Sequence, residues 1–253
     1  MSDLELAQHG DRGAFDRLIA PHVPKLRALL RRMVGDPQDT ADLLQDTLLR
    51  AYEKLGTFRG DAKLSTWLYT IATRIALDHV GSHRVRADAK VRLKEYVHDE
   101  PALWSEFRSY LVSEQFDARE HIAFCFGCVA RSLQPEQQAA LVLRDIFELD
   151  NDEAARVLDV TTSVLRHHLA DARAQMTERY EGLCRLVSKT GVCYQCEGLR
   201  EAFPDAQRGP AVPEIPDLKR RLAVVRDADP DAGVAQRFHD FLWRALAVLE
   251  RSL

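Results

Sequence analysis

The chain has 253 residues, 46% of them hydrophobic and 29% charged, with 35 Lys and Arg against 39 Asp and Glu for a formal net charge of −4. This is a globular balance that allows one large domain or two to three small ones and excludes fibrous and wholly disordered classes. The longest uninterrupted non-polar stretch, Ile122 to Ala130, is too short to cross a bilayer. The N-terminal stretch MSDLELAQHGDR is acidic and has no apolar signal core, so a cytoplasmic protein is expected and a membrane or secreted one is not.

The apolar residues recur with helical spacing and nowhere alternate as in a strand, so an all-α fold is expected. A first helix is predicted from Asp11 to Met33, interrupted at Pro21 and Pro24. Gly35-Asp36-Pro37 stops it and starts a second, because Asp36 can cap and Pro37 suits the first helical position. This second helix runs to about Leu55, with Leu43, Leu44, Leu48 and Tyr52, joined by Ala41 and Ala51, on its apolar side. Its other side is acidic, through Asp39, Asp42, Asp46 and Glu53. A third helix is predicted from Leu64 or Ser65 to about Val80. Between Arg59 and Lys94 eight basic residues face three acids, a local positive region in an acidic chain.

A second helical block spans 116–187, followed by a Cys-rich segment, a spacer punctuated by Pro204, Pro210, Pro213 and Pro216, and a last amphipathic helix carrying Phe238, Phe241, Leu242, Ala245 and Leu249. Within the block, Pro135 to Phe147, Asn151 to Leu158 and Thr162 to Met176 read as three helices, with Asp159-Val160-Thr161 as the turn before the third. Ala154, Ala155 and Leu158 would face Val160, Val164, Leu165 and Leu169. That is helix-turn-helix spacing, in which the last helix can enter a DNA major groove. Thr161, Thr162, Ser163, Arg166, His167, His168 and Arg173 offer short polar or basic groups to phosphates and base edges. Spacing alone leaves a plain three-helix packing unit equally open.

Together the two blocks are more specific. DTADLLQDTLLRAYEKLGTFRGDAKLSTWLYTIATRIALDHV resembles the first domain of extracytoplasmic-function (ECF) sigma factors, and LQPEQQAALVLRDIFELDNDEAARVLDVTTSVLRHHLADARAQM their second, in the family's order. The resemblance covers residues 5–180. It implies two helical domains, at 1–85 (region 2, polymerase binding and promoter melting) and 116–180 (region 4, helix-turn-helix). A basic linker at 86–115 joins them, and a Cys-rich segment at 181–203 and a Pro-containing spacer with a terminal helix at 204–253 follow. It implies binding to core RNA polymerase and promoter DNA and no enzymatic activity of the chain's own.

Placed residue by residue, the family's clamp-binding face maps to Asp39, Asp42, Leu43, Gln45, Asp46 and Leu48. An acidic face suits a protein partner better than DNA, which repels it. The promoter-opening part maps to Phe58, Arg59, Lys63, Arg74, His79 and Arg84, where bases must be unstacked and the backbone tracked by cations. Trp67 and Ile71 are expected in the core. Reading of the upstream element maps to Thr161, Thr162, Ser163, Arg166, His167 and Arg173. At Arg74 many relatives carry Asn, so a base preference does not carry over. Asp171 also stands where relatives often have a basic residue.

The five cysteines include two C-x-x-C pairs, Cys125/Cys128 and Cys193/Cys196. These can supply the four thiolates of a tetrahedral zinc site, with Cys184 and His121 as alternative ligands. A redox-sensitive thiol set, an iron–sulfur cluster and inert cysteines are the other readings. His121 completes an H-x-x-x-C-x-x-C pattern similar to the zinc motif of anti-sigma proteins, and a separate anti-sigma protein is a further candidate partner. The expected function is an ECF-type sigma factor modulated by a metal- or redox-responsive tail. The alternatives are a helix-turn-helix regulator independent of polymerase and a C-x-x-C thiol oxidoreductase, the latter lacking the usual strand–helix pattern.

Overall fold

In the computed structural model, which describes residues 2–82, 133–183 and 218–228 with 101–102, 105, 126–127 and 129–130, all regular structure among the described residues is helical. Helix α1 (Asp3–Gln8) is short but reciprocally capped: the Ser2 hydroxyl accepts from the Glu5 N–H, and the Glu5 carboxylate accepts from the Ser2 N–H. Asp11 caps α2 (Arg12–Ile19). The predicted interruption follows, as a 3-10 turn at Ala20–His22 that includes Pro21, before α3 (Val23–Val34). Gly35 ends α3 at φ 85°, a left-handed conformation that costs glycine little. Asp36 then caps α4 (Pro37–Lys54), its carboxylate accepting from the Asp39 N–H at 2.9 Å. A 3-10 turn at Leu55–Thr57 leads to α5 (Leu64–Ser82).

Helix α4 buries Leu43 and Ala51 as expected, with Leu44 and Leu48 packed partly against the core, but the stripe shifts to include two threonines. Thr40, Leu43, Thr47 and Ala51 point inward, whereas Ala41 and Tyr52 are exposed. Threonine can take inward positions because its hydroxyl returns a hydrogen bond to the preceding turn. Thr40 donates to the Asp36 carbonyl, and Thr47 to the Leu43 carbonyl at 2.7 Å.

Residues Met1–His83 and Pro135–Leu169 form one compact unit. In it α6 (Pro135–Leu141) continues into a π-helical segment at Val142–Ile146, where the Phe147 N–H reaches the Val142 carbonyl, five residues back. The Pro135–Phe147 helix is thus interrupted where the sequence predicts a continuous one. Asp150 caps α7 (Asn151–Leu158), and Asp159 ends it at φ 56° in the left-handed region. Helix α8 (Thr162–Leu183) follows and runs beyond the expected end at Met176.

One hydrophobic core holds this unit together. Leu26, Leu29, Leu30 and Met33 of α3 join Leu68, Tyr69, Ala72, Ile75 and Ala76 of α5. The same cluster takes in Ala139, Ala140, Val142 and Leu143, Ala154, Ala155 and Val157 of α7, and Leu165 of α8. Helix α5 is the hub, packed against α3, α4, α6 and α7.

The second unit comprises Arg84–Gln134 and Ala170–Leu253. Its described residues include the later part of α8, with Ala172 and Met176 buried, and α9 (Leu218–Asp227), with Leu222 and Val225 buried. The sequence reading has only a spacer before the terminal helix, so α9 is an addition. The stripe from Phe238 to Leu249 lies outside the described residues.

These burials predict a contrast on α4. Leu43→Ala should destabilise the protein by about 2–4 kcal/mol through the cavity it leaves. Leu49→Ala, at a side chain 54% exposed, should shift stability by less than about 0.5 kcal/mol. Urea denaturation midpoints of the full chain measure both.

Candidate polymerase and DNA interfaces

Two surfaces emerge from this packing. The first is the outer side of α4, where Asp42, Gln45, Asp46 and Leu49 are exposed and Asp39 and Leu48 partly so. The inward turn of Thr40, Leu43, Thr47 and Ala51 is what presents the carboxylates outward. The Asp42 carboxylate accepts from Gln38 Nε2 at 3.2 Å. One assigned residue does not belong here: Leu43 is 8% exposed and lies in the core. Its place in the stripe, one turn from Thr40 and Thr47, forbids it from reaching a partner. The exposed Leu49 supplies apolar surface instead, at a position the sequence reading passed over.

The second surface runs from the turn after α4 along α5. Arg59, Lys63 and Arg74 are exposed. Phe58 is not a free stacking platform, because its ring lies 5.4 Å from that of Trp67 and packs on the core. Trp67 and Ile71 are partly buried against the same core, as expected. His79 Nε2 lies 3.2 Å from an Asp39 carboxylate oxygen, joining a residue of the second surface to one of the first. Arg84 lies outside the described residues, as do Cys125, Cys128, Cys184, Cys193, Cys196 and His121.

The helix-turn-helix forms as predicted, with local differences. Ala154, Ala155, Leu165 and Leu169 are buried, and Val157, not Leu158, is the third fully inward residue of α7. Val164, expected inward, is 41% exposed. Thr161 caps α8, its hydroxyl accepting from the Val164 N–H at 3.3 Å while its proton stays available to a phosphate. Ser163, Arg166, His167 and Arg173 are exposed, and Thr162 is partly so.

Three contacts missed at the sequence level attach α6 and α7 to α3 and α5. Gln138, fully buried, donates from Nε2 to the Met33 carbonyl at 2.8 Å and the Arg32 carbonyl at 3.3 Å. Phe147 meets Tyr69 edge-to-face at 5.7 Å. Lys63 Nζ donates to the Glu153 carboxylate at 2.7 Å. That bond, with the charge behind it, raises the Lys63 pKa above its ordinary value. Burial, and secondarily the Glu153 charge, pushes the Tyr69 phenol up as well. Glu153 sits in the first turn of α7, where a carboxylate is favoured by the helix dipole.

A helical platform with an acidic outer face, a basic edge and a helix-turn-helix defines a DNA-binding transcription protein. The comparisons with known proteins specify which kind. Residues 18–86 match Sigma-70 region 2 and residues 124–176 match Sigma-70, region 4. The ECF RNA polymerase sigma factor SigM of Mycobacterium tuberculosis is 32% identical over 178 residues, spanning 69% of this chain and 83% of that protein. The RNA polymerase sigma-H factor of Pseudomonas aeruginosa is 29% identical over 185 residues, spanning 72% and 94%. SigG of M. tuberculosis is 30% identical over 233 residues, and the chain spans 57% of its length. Among solved structures, CnrH in complex with the cytosolic domain of CnrY shares the fold at a TM-score of 0.50 and 21% identity, covering 71% of this chain and 95% of the matched one. The chain belongs to the ECF sigma factors, non-catalytic proteins that act with RNA polymerase in promoter recognition. No described helix is long and apolar enough to cross a membrane.

Because Glu153 neutralises Lys63, Glu153→Gln should strengthen binding to non-specific duplex DNA at low salt. It should also steepen the salt dependence by about one unit of slope, one more phosphate being neutralised. Fluorescence anisotropy across a salt series reads both.

Proposed function

We propose that this sigma factor contacts core RNA polymerase through the outer side of α4 and DNA through two separate surfaces. Asp39, Asp42, Gln45, Asp46 and Leu48, joined by Leu49, form the polymerase face. The observation carrying this reading is the burial of Thr40, Leu43, Thr47 and Ala51, which leaves Asp42 and Asp46 exposed on the outer side and Asp39 at the margin of the buried stripe. Arg59, Lys63, Arg74, His79 and Arg84 follow the backbone of opening DNA, with Phe58 acting through the turn that it anchors. Thr161, Thr162, Ser163, Arg166, His167 and Arg173 read the upstream duplex. The site of action is the cytoplasm, and the chain itself carries out no catalytic step.

Asp42→Arg with Asp46→Arg tests the polymerase face without touching the core. Affinity for core polymerase should fall at least tenfold, about 1.4 kcal/mol or more, while the thermal midpoint stays within a few degrees. Retained affinity in a pull-down with purified core polymerase refutes the assignment.

We also propose that Cys125, Cys128, Cys193 and Cys196 hold zinc and that the tail modulates transcription through it. Support comes from the chemistry of the donor set, since paired thiolates at C-x-x-C spacing favour tetrahedral zinc. Thiolate ligation and disulfide formation exclude one another, which makes such a site responsive to oxidants. Cys193→Ser with Cys196→Ser should remove one equivalent of zinc in elemental analysis and change run-off transcription per folded molecule. Loss of zinc with unchanged transcription marks a structural site only.

A further inference from the structure

The turn between α4 and α5 carries Phe58 and Arg59, and it starts as the 3-10 turn Leu55–Thr57, where the Thr57 hydroxyl donates to the Lys54 carbonyl at 2.7 Å. The Phe58 N–H closes it onto the Leu55 carbonyl at 3.0 Å. Gly60 follows at φ 79°, a position where the chain reverses freely. Further support comes from α1, some fifty residues earlier in the chain. The side-chain amide of Gln8, the last residue of α1, donates to the Phe58 carbonyl at 2.9 Å and to the Leu55 carbonyl at 3.2 Å. Each of its two protons has a carbonyl, so one side chain ties both ends of the turn.

Helix α1 is tied to α2, and the loop after it and α2 are tied to α4. Arg17 of α2 bonds Asp3 at 2.7 Å. Tyr52, near the end of α4, donates from its hydroxyl to the Gly10 carbonyl at 3.4 Å and meets the Phe15 ring edge-to-face at 5.1 Å. A mechanical path therefore runs from α1 through Gln8 to Phe58, and from the Phe58 ring to Trp67 on α5.

We infer that Gln8 is a positioning residue for promoter opening: α1 braces the turn that Phe58 anchors to the core and that presents Arg59 to melting DNA. This rests on the reading, proposed above, that this turn engages opening DNA. A flexible turn would have to be ordered as the strands part, and that ordering entropy would add to the barrier. A turn pinned beforehand avoids it. The predicted defect is therefore in the rate of opening, not in polymerase binding.

The test uses the full chain with core polymerase on a linear promoter. Gln8→Glu keeps the shape of the side chain but sets a carboxylate against two carbonyls. Gln8→Lys restores donors to both. Gln8→Glu should slow open-complex formation by about tenfold, read as permanganate reactivity against time, with polymerase affinity unchanged. A template with a pre-melted bubble should restore the wild-type rate, and Gln8→Lys should largely restore opening on the duplex. The inference is overturned if Gln8→Glu opens DNA at the wild-type rate, if Gln8→Lys is as slow as Gln8→Glu, or if polymerase binding falls in parallel with opening. Phe58→Ala and Arg59→Ala separate the two layers. If both open the promoter normally, the assignment of the turn fails and the inference with it. If they are slow while Gln8→Glu is not, only the brace is refuted.

Discussion

Helix α5 is apolar on more than one side, and the rest of the first unit is arranged to keep those sides dry. Thr66, Leu68, Tyr69, Ala72, Thr73, Ile75, Ala76 and Val80 are all buried, too many positions for a single stripe facing one neighbour. Helices α3 and α4 cover part of that surface, and α6 and α7 cover more. The uncovered edge of α5 is marked by Arg74, Asp78 and Gly81. Burial of this one helix thus fixes which basic residues remain exposed. It also accounts for the shared core between segments separated by some fifty residues of chain.

Apolar burial does not set register, and the unit uses helix-end carbonyls for that. The last carbonyls of a helix have no intrahelical donor and need one from elsewhere. At the end of α3, Gly35 supplies an N–H to Arg31, and Gln138 reaches the Arg32 and Met33 carbonyls from α6. Just beyond α4, Gln8 does the same for Leu55 and Phe58. Glutamine suits both places because its amide carries two protons on a chain long enough to cross between helices. Each of these bonds forms at one register only, so elements distant in sequence dock at a defined position and not merely on an oily face.

The helical class, the interruption at Pro21, the Asp36 cap, the helix at Asn151–Leu158 and the Asp159 turn were legible in the sequence because each rests on local chemistry. The inward stripe of α4 was legible at Leu43 and Ala51 but not at Thr40 and Thr47, because counting only apolar residues overlooks threonines that satisfy their own hydroxyls and so puts Tyr52 inside. The π-helical segment at Val142–Ile146 was equally hidden, since its single-residue shift leaves little mark in the periodicity. Helix α9 did have a signal, in the spacing of Leu218, Leu222 and Val225 just beyond the last spacer proline, which the sequence reading passed over. For the functional surfaces, the residue types were readable and their partners were not. Lys63 reads as a free cation and Asp39 as a free carboxylate until tertiary structure sets Glu153 and His79 beside them.

The Lys63–Glu153 contact shows how such pairing bears on use. Lys63 is an exposed lysine, and an exposed ion pair adds little net stability, so this contact is not what holds α7 on α5. Ala154, Ala155 and Val157 of α7, buried in the shared core, hold it. The Glu153 carboxylate instead holds the Lys63 amine, which on the proposed DNA-contact reading it would give up to a phosphate. The apolar contacts are not exchanged in the same way. Any rearrangement that separates α7 from α5 exposes Tyr69 and its neighbours to water at about 25 cal/mol per Å², unless another surface covers them. Within this unit, then, electrostatics sets how readily Lys63 changes partners, while apolar burial sets how far the helices can part without a new cover.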